Sequence, residues 1–210
     1  MCGIVGAVGH KQCSDVLLEA LKRLEYRGYD SSGIVTIHDR VIALKRAVGK
    51  LINLDLALKE TPLLGDIGIG HTRWATHGGV STENAHPHVA SGRVAIVHNG
   101  IIENYAEIKE ELQKEDYQFE SETDTEVVAV ELSRQWTGNL LETVCKVAKE
   151  LDGTYALVVT TTKQSNTIVA GRMMSPLVLG VGDGEVFLAS DSAAILDHTN
   201  KMKFLENGDF

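Results

Sequence analysis

Cysteine stands at position 2, directly after the initiator methionine. Removal of Met1, which a small second side chain permits, would leave Cys2 as the first residue, with a thiol and a free α-amine. That is a nucleophile and a base in one residue. The thiol's reference pKa of about 8.5 lies close to the roughly 7.7–8.0 of an α-amine, so proton transfer between them is nearly balanced. An N-terminal threonine uses its own amine in the same way. Taken alone, a cysteine at position 2 is most simply an ordinary residue near a terminus; residues further along change that reading. Five histidines, His71, His77, His86, His88 and His98, fall within thirty residues, so a metal site has to be weighed. Their spacing fits no helix-borne pair and no cysteine lies near them, so no metal is expected and hydrogen-bonded loop histidines account for the cluster. Cys2, Cys13 and Cys145 are an odd number without C-x-x-C spacing, which suggests neither a disulfide framework nor a zinc ribbon. Cys13 and Cys145 read as small packing residues.

The background against which these residues stand is that of an ordinary globular chain. Its 210 residues are 43% hydrophobic and 23% charged, with three prolines. A formal charge of −9 argues against nucleic acid or an anionic membrane as partner. No apolar run approaches the roughly 20 residues of a membrane span, and no basic region precedes a signal core, so a cytoplasmic location is the expectation.

Positioning elements follow from the patterning. Gly3 to Gly9 is a short apolar run punctuated by glycine and reads as a buried strand that would hold Cys2 rigidly. Val16, Leu17, Ala20, Leu21 and Leu24 fall at helical spacing, with Ser14 as N-cap and Gly28 as stop. Residues 27–33 read as loop. Ile34–Ile37 and Val41–Val48 form two strands about a turn at 38–40, and Asn53–Glu60 a short helix ended by Thr61-Pro62. Asp66–Trp74 reads as a strand running from the core into a site, and 75–93 as a long loop of the functional kind. Val94–Val97 is a strand ending at His98-Asn99-Gly100, where Asn-Gly alone would signal a tight turn. Three helices follow, one capped by Asn104, one opened by 121–126 with Asp124 as a plausible cap, and one over Asn139–Leu151. Beyond Gly153 come strands alone, at 155–161, 167–172, 177–181, 185–190 and 201–205, which implies an antiparallel sheet. Strands at both ends with helices between and around them suggest an α+β fold, two sheets face to face and covered by helices, in one domain.

Five motifs then fall in order: Cys-Gly-Ile-Val-Gly at 2–6, Arg-Gly-Tyr-Asp-Ser at 27–31, His-Thr-Arg-Trp-Ala-Thr-His-Gly at 71–78, His-Asn-Gly at 98–100 and Ser-Glu-Thr-Asp-Thr-Glu at 121–126. Together they resemble, over essentially the whole chain, the N-terminal-nucleophile (class II) glutamine amidotransferases, specifically the glutaminase domain of the glucosamine-6-phosphate synthase family. The first motif is shared with phosphoribosyl and asparagine-synthetase types. The tryptophan-containing motif with Arg-Gly-Tyr-Asp-Ser is more specific.

The resemblance implies a four-layer αββα sandwich of two mainly antiparallel sheets, the N-terminal nucleophile hydrolase fold. It implies glutamine hydrolysis through a thioester on Cys2, with Asn99 and the Gly100 N–H as oxyanion hole. It assigns Arg73 to the glutamine carboxylate and Asp124 to its ammonium, places Thr76, His77 and His86 in or beside a closing loop, makes Trp74 an ammonia gate and gives Arg27 a role in ordering the N-terminal site. No cofactor is implied. One departure is Met174, before Ser175-Pro176, where the family usually has glycine; it puts only local loop geometry in doubt. Family enzymes carry further sugar isomerase domains that use the ammonia to convert fructose 6-phosphate to glucosamine 6-phosphate, and the full-length enzyme is expected to be a homo-oligomer. Nothing in the sequence resembles those domains, so 1–210 is expected to be the glutaminase domain alone. The rival readings are the glutaminase domain of another amidotransferase such as the phosphoribosyl type, a cysteine–histidine hydrolase of a different fold, and a non-catalytic binding module.

Overall fold

The computed structural model describes residues 2–9, 12–75 and 78–210. Its frame is set by strands that are apolar on both faces. The first, β1 (Gly3–Val8), pairs antiparallel with β4 (Ile67–Arg73) on one side and with β10 (Val186–Ala189) on the other. Covered on both faces, β1 and β4 read as continuous buried runs. Around them, β2 (Ser31–His38), β3 (Val41–Val48), β9 (Val178–Val181) and β11 (Met202–Phe204) complete a seven-stranded sheet in the order β11-β9-β10-β1-β4-β2-β3. The second sheet holds β5 (His88–Ala90), β6 (Val94–Ile102), β7 (Gly153–Thr161) and β8 (Ile168–Met173), in that order.

Helices cover the two outer faces. On the larger sheet lie α1 (Cys13–Lys22) and α2 (Leu51–Glu60). Leu17 and Leu21 of α1 sit over Gly68 and Gly70 of β4, where a Cβ would meet them at 2.9 and 3.1 Å, so the glycines let the helix lie close. On the smaller sheet pack α4 (Asp124–Arg134) and α5 (Leu140–Ala148), with α3 (Tyr105–Lys114) against α4. Between the sheets, Ile4, Val35 and Ile69 meet Ala95, Val97, Ala156 and Val158. The four-layer sandwich expected from the pattern is therefore present.

Several local expectations are corrected. Ser14 does not cap α1; Gln12 occupies the N-cap, and the Ser14 hydroxyl donates to the Leu63 carbonyl instead. Gly28 ends a separate 3₁₀ turn, Glu25–Arg27, and Ser31 to Gly33 belong to β2 rather than to a loop. Asn104 holds the N-cap position of α3 without a capping bond; its amide bonds the Glu150 carbonyl and the Asp152 N–H across the layer. Thr123, not Asp124, caps α4, accepting from the Glu126 N–H. The last five strands divide between the sheets, β7 and β8 in one and β9 to β11 in the other. Residues 75–93 contain β5, and β6 runs on through His98, Asn99 and Gly100 instead of turning there.

Met174 lies at the crossing between the sheets with φ +70°, the left-handed region that favours glycine. Its side chain is exposed, with its sulfur accepting a weak hydrogen bond from Asn207 Nδ2 at 3.4 Å. Met174→Gly is expected to raise stability by up to about 1 kcal/mol, read as a higher urea midpoint, because the strain removed exceeds the flexibility added to the unfolded chain. A lower midpoint would contradict this account of the turn.

Candidate active site

Alternation along the strands decides which side chains meet. In β4, His71 and Arg73 continue the inward series of Ile67 and Ile69; in β6, Asn99 continues Ala95 and Val97. These polar residues close the inter-sheet core at the end where Cys2 enters β1. The result is a small cavity lined by Cys2, His71, Arg73, Trp74, His86, His98, Gly100, Thr123, Asp124 and Thr125.

Cys2 rests against the backbone of Trp74. Its sulfur donates to the Trp74 carbonyl at 3.5 Å and accepts from the Trp74 N–H at 3.3 Å. Burial pushes the thiol pKa up, and the Trp74 N–H offsets part of that rise. The resting group is therefore a thiol, and reaction requires a base to take its proton.

Beside the cavity, Asn99 donates from Nδ2 to the Cys2 carbonyl at 3.1 Å, and its Oδ1 lies 3.0 Å from His71 Nε2. Gly100 has φ +135°, and a Cβ there would stand 1.9 Å from the Thr154 carbonyl oxygen, so only glycine fits. Arg73 is 4% exposed; Nη1 donates to the Gly79 carbonyl at 3.1 Å and lies 3.8 Å from Asp30 Oδ1. Asp124, the first residue of α4, accepts from the Ile102 N–H at 2.9 Å and lies 3.8 Å from His98 Nδ1. One cavity thus holds a thiol, a guanidinium and a carboxylate.

Other expected residues take varied places. His86 is buried, accepts from the His98 N–H at 3.4 Å and stacks on His71 with 4.2 Å between ring centroids. Trp74 is 47% exposed and meets Tyr29 edge-on at 5.3 Å, so it is not a core indole. Arg27 does not line the cavity. It pairs with Asp191 at 3.0 Å, next to Ser190, whose hydroxyl accepts from the Ile4 N–H. Thr76 and His77 lie outside the described residues.

The histidines are corrected as a group. His71, His88 and His98 sit on strands, not loops. Burial drives His71 and His88 down to about 3 and His86 well below its ordinary value. Among the described residues no group of three or more His, Cys, Asp or Glu is placed to hold a metal ion. Sequence reasoning missed Asp30, whose carboxylate accepts from the Ala75 N–H and from the Ser31 hydroxyl. It also missed Thr125, which bonds His98 Nδ1 at 3.0 Å, and Thr123, which bonds His88 Nε2 at 2.9 Å. Inward parity on β4 was the available signal for His71.

A family profile described as a glutamine amidotransferase domain matches residues 71–197. The chain belongs to this family. Among curated relatives, the glutamine–fructose-6-phosphate aminotransferase (isomerizing) of Mesorhizobium japonicum is 53% identical over 212 residues, and that of Thermus thermophilus 51% over 210. Each alignment takes in 100% of this chain but 35% of the relative, so this chain spans about a third of their length. Among solved structures, the glutamine phosphoribosylpyrophosphate amidotransferase of B. subtilis superposes with a TM-score of 0.82 at 24% identity, covering 97% of this chain and 44% of the other. A glutamine aminotransferase class-II domain protein from Silicibacter pomeroyi gives a TM-score of 0.56 at 12% identity, covering 99% and 92%. The αββα sandwich is thus the fold of N-terminal-nucleophile amidotransferases. No helix among the described residues is long and apolar enough to cross a membrane.

Proposed function

We propose that this amidotransferase domain hydrolyses the side-chain amide of L-glutamine, with Cys2 as nucleophile. The observation that carries the proposal is the shared cavity: Cys2 faces a guanidinium suited to an α-carboxylate and a carboxylate suited to an α-ammonium. Arg73 and Asp124 hold the substrate's two charges, His86 lines the cavity beside them, Thr76 and His77 belong to the loop that closes over it, and Trp74 gates the escape of ammonia. Arg27 orders the entry of β1. Cys2 Sγ attacks the amide carbon while the α-amine, freed by removal of Met1, takes its proton. The oxygen's developing charge is met by Asn99 Nδ2 and the Gly100 N–H; losing one such donor typically costs about 10²–10³ in turnover. Return of the proton to nitrogen expels ammonia and leaves a glutamyl thioester, which water cleaves to glutamate.

Residues 1–210 act in this proposal as the glutaminase domain of a longer cytoplasmic, homo-oligomeric enzyme, whose isomerase domains pass the ammonia to fructose 6-phosphate and release glucosamine 6-phosphate. Identity of about half to the aminotransferase relatives favours this acceptor over a phosphoribosyl one.

Incubation with 6-diazo-5-oxo-norleucine followed by intact mass and peptide mapping tests the reading. A chain lacking Met1 is expected to take up one adduct at Cys2, to be protected by glutamine and to lose the reaction on Cys2→Ala. A processed, folded chain that stays unlabelled would make Cys2 a structural residue.

A further inference from the structure

Three atoms around Asn99 determine which way its amide points. The Cys2 carbonyl, 3.1 Å from one end of the amide, can only accept, so that end is Nδ2 and the other is Oδ1. His71 Nε2 lies 3.0 Å from Oδ1 and 3.1 Å from the His98 carbonyl oxygen. Both are acceptors, so Nε2 carries the proton. His71 Nδ1 is buried and has no hydrogen-bond partner among the described residues, so no acceptor there competes for the tautomer. His86, stacked at 4.2 Å with 30° between the planes, holds the ring in place.

We infer that His71 is a positioning residue for the amide step: its Nε2–H, shared between the His98 carbonyl and Asn99 Oδ1, locks the Asn99 amide with its NH₂ turned to Cys2. This rests on the glutaminase reading above. An asparagine amide is nearly symmetric in shape, and a half-turn would aim Oδ1, an acceptor, at the place where negative charge develops. The oxyanion would then meet repulsion instead of a donor. His71 opposes the half-turn because it offers only a donor on that side, adding to the Cys2 carbonyl, which offers only an acceptor on the other. The ring's neutral Nε2–H form does this throughout the working pH range, so His71 transfers no proton to substrate.

The test compares His71→Leu and His71→Gln with wild-type protein lacking Met1. In His71→Leu, kcat for glutamine is expected to fall about 10²-fold, as for loss of one oxyanion donor, with KM changed less than about threefold. Alkylation of Cys2 by iodoacetamide, a displacement at a CH₂ that forms no oxyanion, is expected at the wild-type rate. His71→Gln, whose amide can donate to Asn99, is expected to recover most of kcat. Wild-type kcat in His71→Leu, or a parallel fall in alkylation, would overturn the assignment. Nitrogen-15 correlation spectra of the wild-type imidazoles give a reading that needs no variant to fold: an Nε2–H tautomer at His71 supports the assignment, and an Nδ1–H tautomer overturns it. Processed wild-type protein that turns over no glutamine would overturn the glutaminase reading and this inference with it, whereas failure of the inference alone shows against an active wild type.

Discussion

Gly100→Ala is expected to destabilise the protein by about 2–5 kcal/mol and to lower glutamine turnover at least about 10²-fold. Two costs act together. At φ +135° an L side chain is strained, by about 1–3 kcal/mol. The added Cβ also falls 1.9 Å from the Thr154 oxygen and 2.7 Å from its carbon, and these are backbone atoms that cannot rotate away. Relief requires β6 and β7 to part where Gly100 faces Tyr155. That movement carries Asn99 with it, and a displacement near 1 Å at a positioning group is enough for a hundredfold loss. Urea unfolding and steady-state kinetics on the same preparation read both effects. Wild-type stability in the variant would show that the strand is not held as described.

Acid is expected to unfold the protein through its buried histidines before the carboxylates titrate. His71 and His88 sit at about 3 and His86 well below its ordinary value, each because burial opposes the charged ring. In the unfolded chain the same rings titrate near 6.5. The folded values are depressed, so the stability they confer is complete above about pH 6.5 and is lost as pH falls towards about 3. Each unfolded-state proton costs about 1.4 kcal/mol per pH unit once pH is well below 6.5. Three rings together predict a loss of roughly 3–4 kcal/mol between pH 6 and pH 5, a window above the carboxylate range. Urea midpoints at pH 7, 6 and 5 measure it; a flat profile would mean that the rings are hydrated in the folded state.

Much of this was legible from residue order. The hairpin of Ile34–Ile37 and Val41–Val48 and the strands after Gly153 stand where alternation and turn residues put them. Which sheet each late strand joins was not, because β8 and β9 are equally apolar and the crossing at Met174 carries no pattern. The length of β6 was not legible, since the local turn preference of Asn99-Gly100 is overridden where both residues pair with β7. Cys2, Arg73 and Asp124 were legible as chemistry through their motifs, and the cavity brings them together. Asp30 and Thr125 were not, because a loop carboxylate and a helix-start hydroxyl suit solvated roles equally well.

The two halves of the site belong to different layers. His71 and Arg73 come from the larger sheet, with Cys2 directly before its strand β1, whereas Asn99 and Gly100 come from the smaller one. Distance between the proposed nucleophile and its proposed oxyanion donors is therefore a dimension of the sandwich, set by the thickness of the apolar filling where Ile4 meets Val97 and Ala156. A methyl group lost from that filling lets the sheets settle or slide, and interiors are packed too closely for such a shift to be absorbed locally. Under the proposed reaction, side chains that touch no substrate would act as shims, and a change in this core would be expected to show in turnover as well as in stability.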